Sequence, residues 1–364
     1  MLLKNLISHL HFNSDLRITL ISHSSGVLKN SYKEVCNYIE YNSFQKIFFY
    51  LLEFLRIKKL YLRTKYPVHS YPLIYSNTIA CTPLAMEFEE PGRKIIQHVH
   101  ELSYASRILQ VRENLKKSVS KTHLFIAASH AVARFLKDEI LVDDSKIRVI
   151  HEFPVSTPDQ KKSYSRGKIR NDFVILEDDF LIGMCGTPEW RKGIDLFVQL
   201  ALRMTNEREG EKYHFLWVGG TNNQLQEARH DVEALGLSSK IHFVECVEDA
   251  SPYYSAMDLF ALTSREDPFS VAMLEAAASG LPIVCFDKAG GGPEFVGRDA
   301  GVVVPYIDVD CMADACKKLL KDDQLRERVG STAKQKVNDC YNALQQIKKL
   351  QDLISEVMNQ KQIQ

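Results

Sequence analysis

The sequence predicts an α/β protein with two domains, each built around a parallel β-sheet. Short apolar runs alternate with longer segments of helical period along nearly the whole chain, and this alternation is typical of βαβ units. The chain has 364 residues, which is long for a single compact core. Because parallel sheets of this type bind ligands at the carboxyl ends of their strands, we expect functional residues in the loops that follow the strands.

Each predicted element is a short stretch of consistent periodicity. The predicted strands are Ile18–Ile21, Leu73–Tyr75, Lys94–His98, His123–Ala127, Ile147–Ile150, Phe180–Met184, His214–Val218, Ile241–Val244, Leu259–Leu262, Ile283–Phe286 and Gly301–Val304. The predicted helices between them include Ala131–Glu139, Asp195–Met204, Asn222–Leu235, Val271–Ser279 and Cys311–Leu320. Residues 331–364 are predicted to form one or two further helices.

The pattern breaks at residues 155–170, which are polar and rich in turn-forming residues. We place an interdomain linker there. The predicted domains are residues 1–165 and residues 166–364, and the last helix is expected to cross back to the first domain.

The formal net charge of zero hides an asymmetry between the two halves. Residues 1–168 contain 25 basic and 15 acidic residues, whereas the remainder contains 21 and 31. A basic half indicates an anionic partner such as a membrane surface, and uneven scatter over solvated faces is the alternative. Residues 44–65 interleave basic and apolar side chains, so they form either an interfacial amphipathic helix or a core helix with a basic edge.

The eight cysteines form no CxxC pair and show no metal-ligand spacing. Most lie in apolar runs, which predicts small buried hydrophobic residues in a reducing compartment. The N-terminus lacks a secretory signal, and no apolar run is long enough to span a membrane. We therefore predict a cytoplasmic location, no bound metal and no cofactor.

Two carboxylates lie on either side of a predicted helix start. Asp267 precedes Pro268-Phe269-Ser270, and Glu275 follows two turns into the helix that begins near Val271. Helix N-termini bind phosphate through their free N–H groups and positive dipole end. A carboxylate such as Glu275 suits a vicinal diol because both of its oxygens accept hydrogen bonds. Taken alone, this spacing is equally consistent with two surface acids.

Several linked motifs favour a functional role for Asp267 and Glu275. They are Asp267-x7-Glu275 followed by Ala276-Ala277-Ala278-Ser279-Gly280-Leu281-Pro282, then Gly290-Gly291-Gly292-Pro293-Glu294, and upstream Gly186-x5-Lys192-Gly193-Ile194-Asp195-Leu196, Leu216–Gly220 and Ala256–Phe260. In this order they resemble glycosyltransferase family 4, retaining enzymes of bacterial polysaccharide synthesis. The resemblance covers residues 70–330 and implies the GT-B architecture, in which two Rossmann-like domains face each other across a cleft.

The resemblance implies roles for individual residues. Arg191 and Lys192 neutralise the pyrophosphate leaving group, where fixed cations stabilise growing charge. Asp267 contacts the donor sugar, and Glu275 binds the ribose. The other implied donor-binding positions are Gly186, Thr187, Gly220, Glu266, Phe269, the backbone amides of Ser270 and Val271, and, for the nucleobase, Cys246 and Val247. In the first domain His100 resembles the family's active-site histidine, although a strand-end histidine is often structural.

Four departures from the family pattern limit these assignments. The first acid is Asp267 rather than glutamate, and Thr187 stands where the family often has arginine. His151-Glu152-Phe153-Pro154 replaces the family's Asn-Gly-Val. The first strand and glycine loop of the family have no counterpart, so the first domain is expected to lack its first strand unless Ser24-Ser25-Gly26 substitutes.

The implied reaction moves a hexose from a nucleoside diphosphate sugar, the co-substrate, to a saccharide or lipid-linked saccharide acceptor with retention of configuration. Expected partners are the nucleotide sugar, the acceptor and an anionic membrane surface on the inner face of the cell membrane, but no nucleic acid. The alternative is a truncated, non-catalytic subunit that binds a nucleotide sugar and partners another transferase. A related epimerase fits less well, because such enzymes lack the combined Arg-Lys and Asp-x7-Glu motifs.

Overall fold

A computed structural model describes residues 3–4, 6–8, 17–22, 28–40, 71–154, 162–206 and 212–359. The chain forms two compact units. The N-terminal unit comprises residues 1–128, 133–150 and 344–364, and the C-terminal unit comprises residues 129–132 and 151–343. In this division the boundary falls after residue 150 rather than near residue 165, and the last helix groups with the N-terminal unit.

The N-terminal unit contains two parallel sheets among its described residues. Strands β1 (Thr19–Ser22) and β2 (Asn37–Glu40) pair with each other. A four-stranded sheet has the order β3 (Leu73–Asn77), β4 (Lys94–Val99), β5 (Leu124–Ala127), β6 (Ile147–Val149). The helices are α1 (Lys29–Lys33), α2 (Thr82–Glu87), α3 (Ser103–Ile108), α4 (Arg112–Ser118), α5 (His130–Asp138, whose first residues group with the other unit) and α14 (Ala343–Asn359).

The C-terminal unit is built on one six-stranded parallel sheet. Its strands are β7 (Phe180–Cys185), β8 (Tyr213–Val218), β9 (Ile241–Val244), β10 (Leu259–Leu262), β11 (Ile283–Phe286) and β12 (Gly301–Val304). Its helices are α6 (Lys162–Asp172), α7 (Ile194–Thr205), α8 (Asn222–Ala234), α9 (Ser251–Ala256), α10 (Val271–Ala278), α11 (Gly292–Val296), α12 (Val309–Lys321) and α13 (Asp323–Cys340).

The strand order β12-β11-β10-β7-β8-β9 fixes where this sheet can bind a ligand. The chain runs outward from β7 to β9 and then returns to build β10 to β12 on the other side. The order therefore reverses between β7 and β10, which pair directly. In open parallel sheets, ligands bind in the crevice that this reversal opens beyond the strand ends.

The central strands are apolar because both of their faces are covered. Every residue of β8 is buried, and Trp217 on this strand packs edge-on against Phe197 of α7 with ring centroids 5.5 Å apart. A strand that is buried on both faces appears in the sequence as a continuous apolar run. All of the predicted strands are found, and the predicted α/β class with parallel sheets is confirmed.

Two sequence predictions are wrong in part. Residues 162–168 belong to helix α6 rather than to a linker. Ion pairs stabilise this polar helix in place of an apolar stripe. Arg166 and Arg170 both contact the carboxylate of Asp258, at 2.7 and 3.2 Å. The cysteines are less buried than expected, since only Cys285 and Cys316 are fully buried, whereas Cys246, Cys311 and Cys340 are exposed.

Several hypotheses concern parts of the chain outside the described residues. They include the amphipathic segment 44–65 and the loop Ser24-Ser25-Gly26. The expected lack of a first strand stays a prediction. Among the described residues, no helix is long and apolar enough to cross a membrane.

Candidate functional site

An ion pair lies where the strand order of the C-terminal unit reverses. Lys192 follows β7 and Asp267 follows β10, and Lys192 Nζ lies 2.5 Å from Asp267 Oδ2. The two side chains are only 13% and 5% exposed. Ser264 Oγ donates a second hydrogen bond to the same oxygen at 3.3 Å. The residues assigned by sequence to phosphate and to sugar therefore contact each other.

The loop of residues 186–193, here called the phosphate loop, is seated directly on the sheet. The indole N–H of Trp217 donates to the carbonyl of Gly186 at 3.0 Å. The loop ends in a 3-10 turn, Trp190–Lys192, followed by Gly193 at φ 70°. A Cβ on Gly193 would lie 2.1 Å from the carbonyl oxygen of Thr263. Only glycine fits both this conformation and this approach, so Gly193 sets the position of Lys192.

Arg265 links the phosphate loop to the loop that carries Asp267 through hydrogen bonds. Its guanidinium binds both carboxylate oxygens of Asp195 at 2.7 Å and lies 5.1 Å from the ring centre of Trp190. This ion pair lowers the pKa of Asp195 and raises that of Arg265. The backbone amides of Arg265 and Glu266 donate to the carbonyl of Arg191 at 2.7 and 3.1 Å. Bidentate pairs of this kind fix geometry as well as charge.

Our sequence reasoning gave Arg265 and Asp195 no role. Asp195 is the aspartate of the Gly-x5-Lys-Gly-x-Asp-Leu motif, so the motif itself could have indicated a structural partner. The side chain of Arg191 lies 3.2 Å from Glu189, on the same loop. Of the two predicted cations, Lys192 is therefore the one whose side chain contacts Asp267.

The glycine loop of residues 290–292 and its neighbour Ala289 form hydrogen bonds with the backbone of Asp267. Ala289 accepts the amide of Asp267 at 2.7 Å, and the amide of Gly291 donates to the carbonyl of Asp267 at 3.0 Å. A Cβ on Gly291 would lie 2.4 Å from both the ring of Phe269 and the carbonyl of Pro268. The motif is thus needed for close backbone approach, and it holds the backbone of Asp267 on both sides.

Helix α10 begins immediately after the loop that carries Asp267. Its N-cap is Ser270, whose Oγ accepts the amide of Met273 at 3.3 Å. The amides of Val271 and Ala272 belong to the first turn, where no intrahelical acceptor exists. These amides and the positive end of the helix dipole form an environment suited to an anion. The phosphate role of Ser270 and Val271 stays a prediction.

Glu275 lies further along α10 and is half-buried. Its Oε2 accepts a hydrogen bond from the hydroxyl of Tyr254 at 3.1 Å. Sequence reasoning missed Tyr254, because a tyrosine in a short apolar helix is indistinguishable from an ordinary core aromatic.

The predicted nucleobase residues Cys246 and Val247 follow β9, and the predicted donor-binding residue Gly220 follows β8. The amide of Cys246 donates to the carbonyl of Gly220 at 2.8 Å. Cys246 is exposed and Val247 is half-buried. The loops after β7, β8, β9 and β10, together with helix α10, thus carry all the predicted site residues except His100.

His100 follows β4 in the N-terminal unit. Its Nε2 lies 3.2 Å from Asn77 Oδ1, and its amide donates to Glu101 Oε2 at 3.0 Å. The neighbouring His98 is buried, and this burial holds its pKa well below the ordinary value. His98 is therefore a neutral structural residue, whereas His100 is half-buried at the strand end. The catalytic role of His100 stays a prediction.

Glu294, which follows the glycine loop, contacts two histidines of the C-terminal unit. One carboxylate oxygen lies 2.5 Å from His151 Nε2, and the other accepts the amide of His130 at 2.9 Å. These contacts hold the pKa of Glu294 below its ordinary value. His151 occupies the segment where the sequence departs from the family's Asn-Gly-Val. The three side chains place ligand atoms within 4.8 Å of one another, a spacing compatible with a divalent ion.

Comparison with known proteins identifies the C-terminal unit. Residues 179–322 match the family model Glycosyl transferases group 1. The lipopolysaccharide core biosynthesis glycosyltransferase LpsE of Rhizobium meliloti is 25% identical over 162 residues, which are 42% of this chain and 45% of LpsE. The capsular polysaccharide biosynthesis glycosyltransferase CapM of Staphylococcus aureus is 25% identical over 171 residues, 46% of this chain and 44% of CapM. Each match therefore spans less than half of the relative.

A solved structure extends the likeness in fold to nearly the whole chain. Anabaena HepE, crystallised with UDP and glucose, superposes with a TM-score of 0.79 at 18% identity, covering 97% of this chain and 94% of HepE. At this identity the likeness establishes the fold alone. The predicted GT-B fold is confirmed, whereas the finer assignment to family 4 stays a prediction. Residues 179–322 thus resemble the Glycosyl transferases group 1 family, within a chain of the GT-B fold.

Proposed function

We propose that this protein is a retaining glycosyltransferase that moves a hexose from a nucleoside diphosphate sugar to a saccharide or lipid-linked saccharide in cell-surface polysaccharide synthesis. The observation that carries the proposal is the Lys192–Asp267 contact at the point where the strand order reverses. A partly buried cation, a buried carboxylate and a helix N-terminus converge there.

The chemistry required by such a transfer fits these groups. Breaking the bond to the sugar places charge on the pyrophosphate, and fixed positive groups stabilise that charge as it develops. Lys192, Arg191 and the first amides of α10 are the groups that supply it. Asp267 accepts a hydroxyl of the donor sugar, and Glu275 accepts the ribose hydroxyls. The leaving phosphate then deprotonates the acceptor hydroxyl on the same face of the sugar, with His100 hydrogen-bonding the transferred sugar.

The pairing of Lys192 with Asp267 implies that ligand binding changes the partner of each residue. When the pyrophosphate binds Lys192, the buried carboxylate of Asp267 loses that cation and needs a new hydrogen-bond donor. A hydroxyl of the sugar provides one. Binding of the phosphate and binding of the sugar thus support each other within one site.

The names of the relatives support the substrate class. LpsE and CapM act in lipopolysaccharide core and capsular polysaccharide biosynthesis, and HepE has been crystallised with UDP-glucose. We therefore propose a uridine sugar as the first donor to test. The proposed reaction needs no metal or cofactor, because side chains and the helix end supply the positive charge. The basic N-terminal half supports a peripheral position on the inner face of the cell membrane.

A thermal-shift screen of the full-length chain against UDP-, GDP- and ADP-sugars tests the proposal, since a ligand that binds the folded state raises its apparent stability. We expect one base to stabilise the protein, and the shift to disappear in Lys192→Met but persist in Lys317→Met, a control outside the proposed site whose partner Asp314 is exposed. Chelation with EDTA should leave the shift unchanged. Absence of binding and of hydrolysis for all three sugar classes would refute the proposed function.

A second candidate function predicts a different result. A non-catalytic subunit would bind the nucleotide sugar without hydrolysing it or transferring the sugar, alone or with membrane extracts as acceptor source. Binding to anionic liposomes at low salt tests the membrane position separately, and equal binding to neutral liposomes would contradict it.

A further inference from the structure

Tyr254 is a buried polar residue that contacts the proposed donor site. It lies on α9, and it is only 1% exposed. A buried hydroxyl needs a hydrogen-bond partner, because leaving it unpaired costs free energy. Here the partner is Glu275, whose Oε2 accepts the hydroxyl proton at 3.1 Å.

The hydroxyl of Tyr254 is protonated at physiological pH. Burial raises the pKa of Tyr254 well above its ordinary value. A phenol has one proton to donate, and Tyr254 donates it to Glu275.

A carboxylate offers about four lone-pair sites. The bond from Tyr254 therefore orients Glu275 through one of its oxygens and is compatible with acceptance of ligand hydroxyls by the same carboxylate.

We infer that Tyr254 is a positioning residue for nucleotide recognition: its hydroxyl holds Glu275 in the orientation that accepts the ribose hydroxyls. This inference rests on the proposed function and extends it. Discrimination between ribose and deoxyribose nucleotides becomes a property of two residues, one from α9 and one from α10.

The test is calorimetric titration of the full-length chain with the nucleoside diphosphate that binds, UDP first, and with its 2′,3′-dideoxy counterpart. We expect the wild type to prefer the ribose form by at least about tenfold, because the dideoxy form leaves the carboxylate without its partners. Tyr254→Phe should reduce this preference by about fivefold. A merely structural role would weaken both ligands equally and leave their ratio unchanged.

Controls separate the possible outcomes. Tyr253→Phe removes a hydroxyl from the neighbouring residue of the same helix and should leave the ratio as in the wild type. If Tyr254→Phe does not fold, Cys185→Ala/Tyr254→Phe also removes the thiol of Cys185 at the end of β7, and the same reduction is expected. If either folded variant keeps the wild-type preference for the ribose form, the inference is wrong and the proposed function still stands. A wild type that binds no nucleoside diphosphate would overturn the proposed function as well.

Discussion

The buried pair of Lys192 and Asp267 makes a quantitative prediction about stability. Removing one partner of a buried ion pair costs about 3–5 kcal/mol, because the remaining charge stays buried and uncompensated. In Lys192→Met, Ser264 still donates one hydrogen bond to Asp267, so we expect a loss of about 3 kcal/mol in the free energy of unfolding. With a urea m-value of about 2 kcal/mol per M, the midpoint should fall by about 1.5 M.

The chain provides a selective probe for this measurement. Both of its tryptophans, Trp190 and Trp217, belong to the C-terminal unit, so tryptophan fluorescence during urea unfolding reports that unit. Lys317→Met is the matched control, because the partner of Lys317, Asp314, is 75% exposed and surface pairs contribute less than about 1 kcal/mol.

A second variant tests the electrostatic explanation. Lys192→Met/Asp267→Asn removes the stranded charge and should recover most of the lost stability. If Lys192→Met shifts the midpoint no more than Lys317→Met does, or if the double variant is no more stable than the single one, the reasoning about the buried pair is refuted.

Three further predictions concern the two acids and a buried histidine. Glu275→Ala should weaken nucleoside diphosphate binding by at least about tenfold, since hydrogen bonds to a charged group are lost; calorimetry measures this, and the exposed Glu227→Ala is the control. Asp267→Asn should lower the ratio of affinities for nucleotide sugar over nucleoside diphosphate by about tenfold, and an unchanged ratio would remove the assigned sugar contact. Burial lowers the pKa of His242 from 6.5 to about 4, so the unfolded chain binds a proton that the folded chain does not. Stability is then complete above pH 6.5 and falls as the pH drops toward 4; urea midpoints at pH 7 and pH 5 should differ less in His242→Gln than in the wild type.

The sequence was sufficient for most of the fold because the strands are buried on both faces. A strand such as β8 reads as an unbroken apolar run, which periodicity detects. Strand β2 was missed because Asn37 and Glu40 end it with polar residues and leave too short an apolar core to recognise. Helix α6 was missed for a related reason, since Arg166 and Arg170 hold it by ion pairs rather than by an apolar stripe.

The candidate site was predictable as a set of positions but not as a set of contacts. Linked motifs indicated Lys192 and Asp267 separately, yet the two residues are 75 positions apart in sequence. Their contact depends on β7 and β10 being neighbours, and the periodicity of the chain does not determine strand order. Arg265 and Tyr254 were missed because their partners come from other loops and helices.

Asp267 and Glu275 show why spacing alone could not distinguish their roles. Both are carboxylates at one end of α10, but Asp267 is almost completely buried and paired with a cation, whereas Glu275 is half-buried and bonded to a neutral phenol. A buried carboxylate that already has a cation changes partners only when a ligand attracts that cation, whereas a neutral phenol adds no charge of its own to the carboxylate that it contacts. The surroundings therefore distinguish the two acids physically, while the assignment of one to the sugar and the other to the ribose rests on the sequence resemblance.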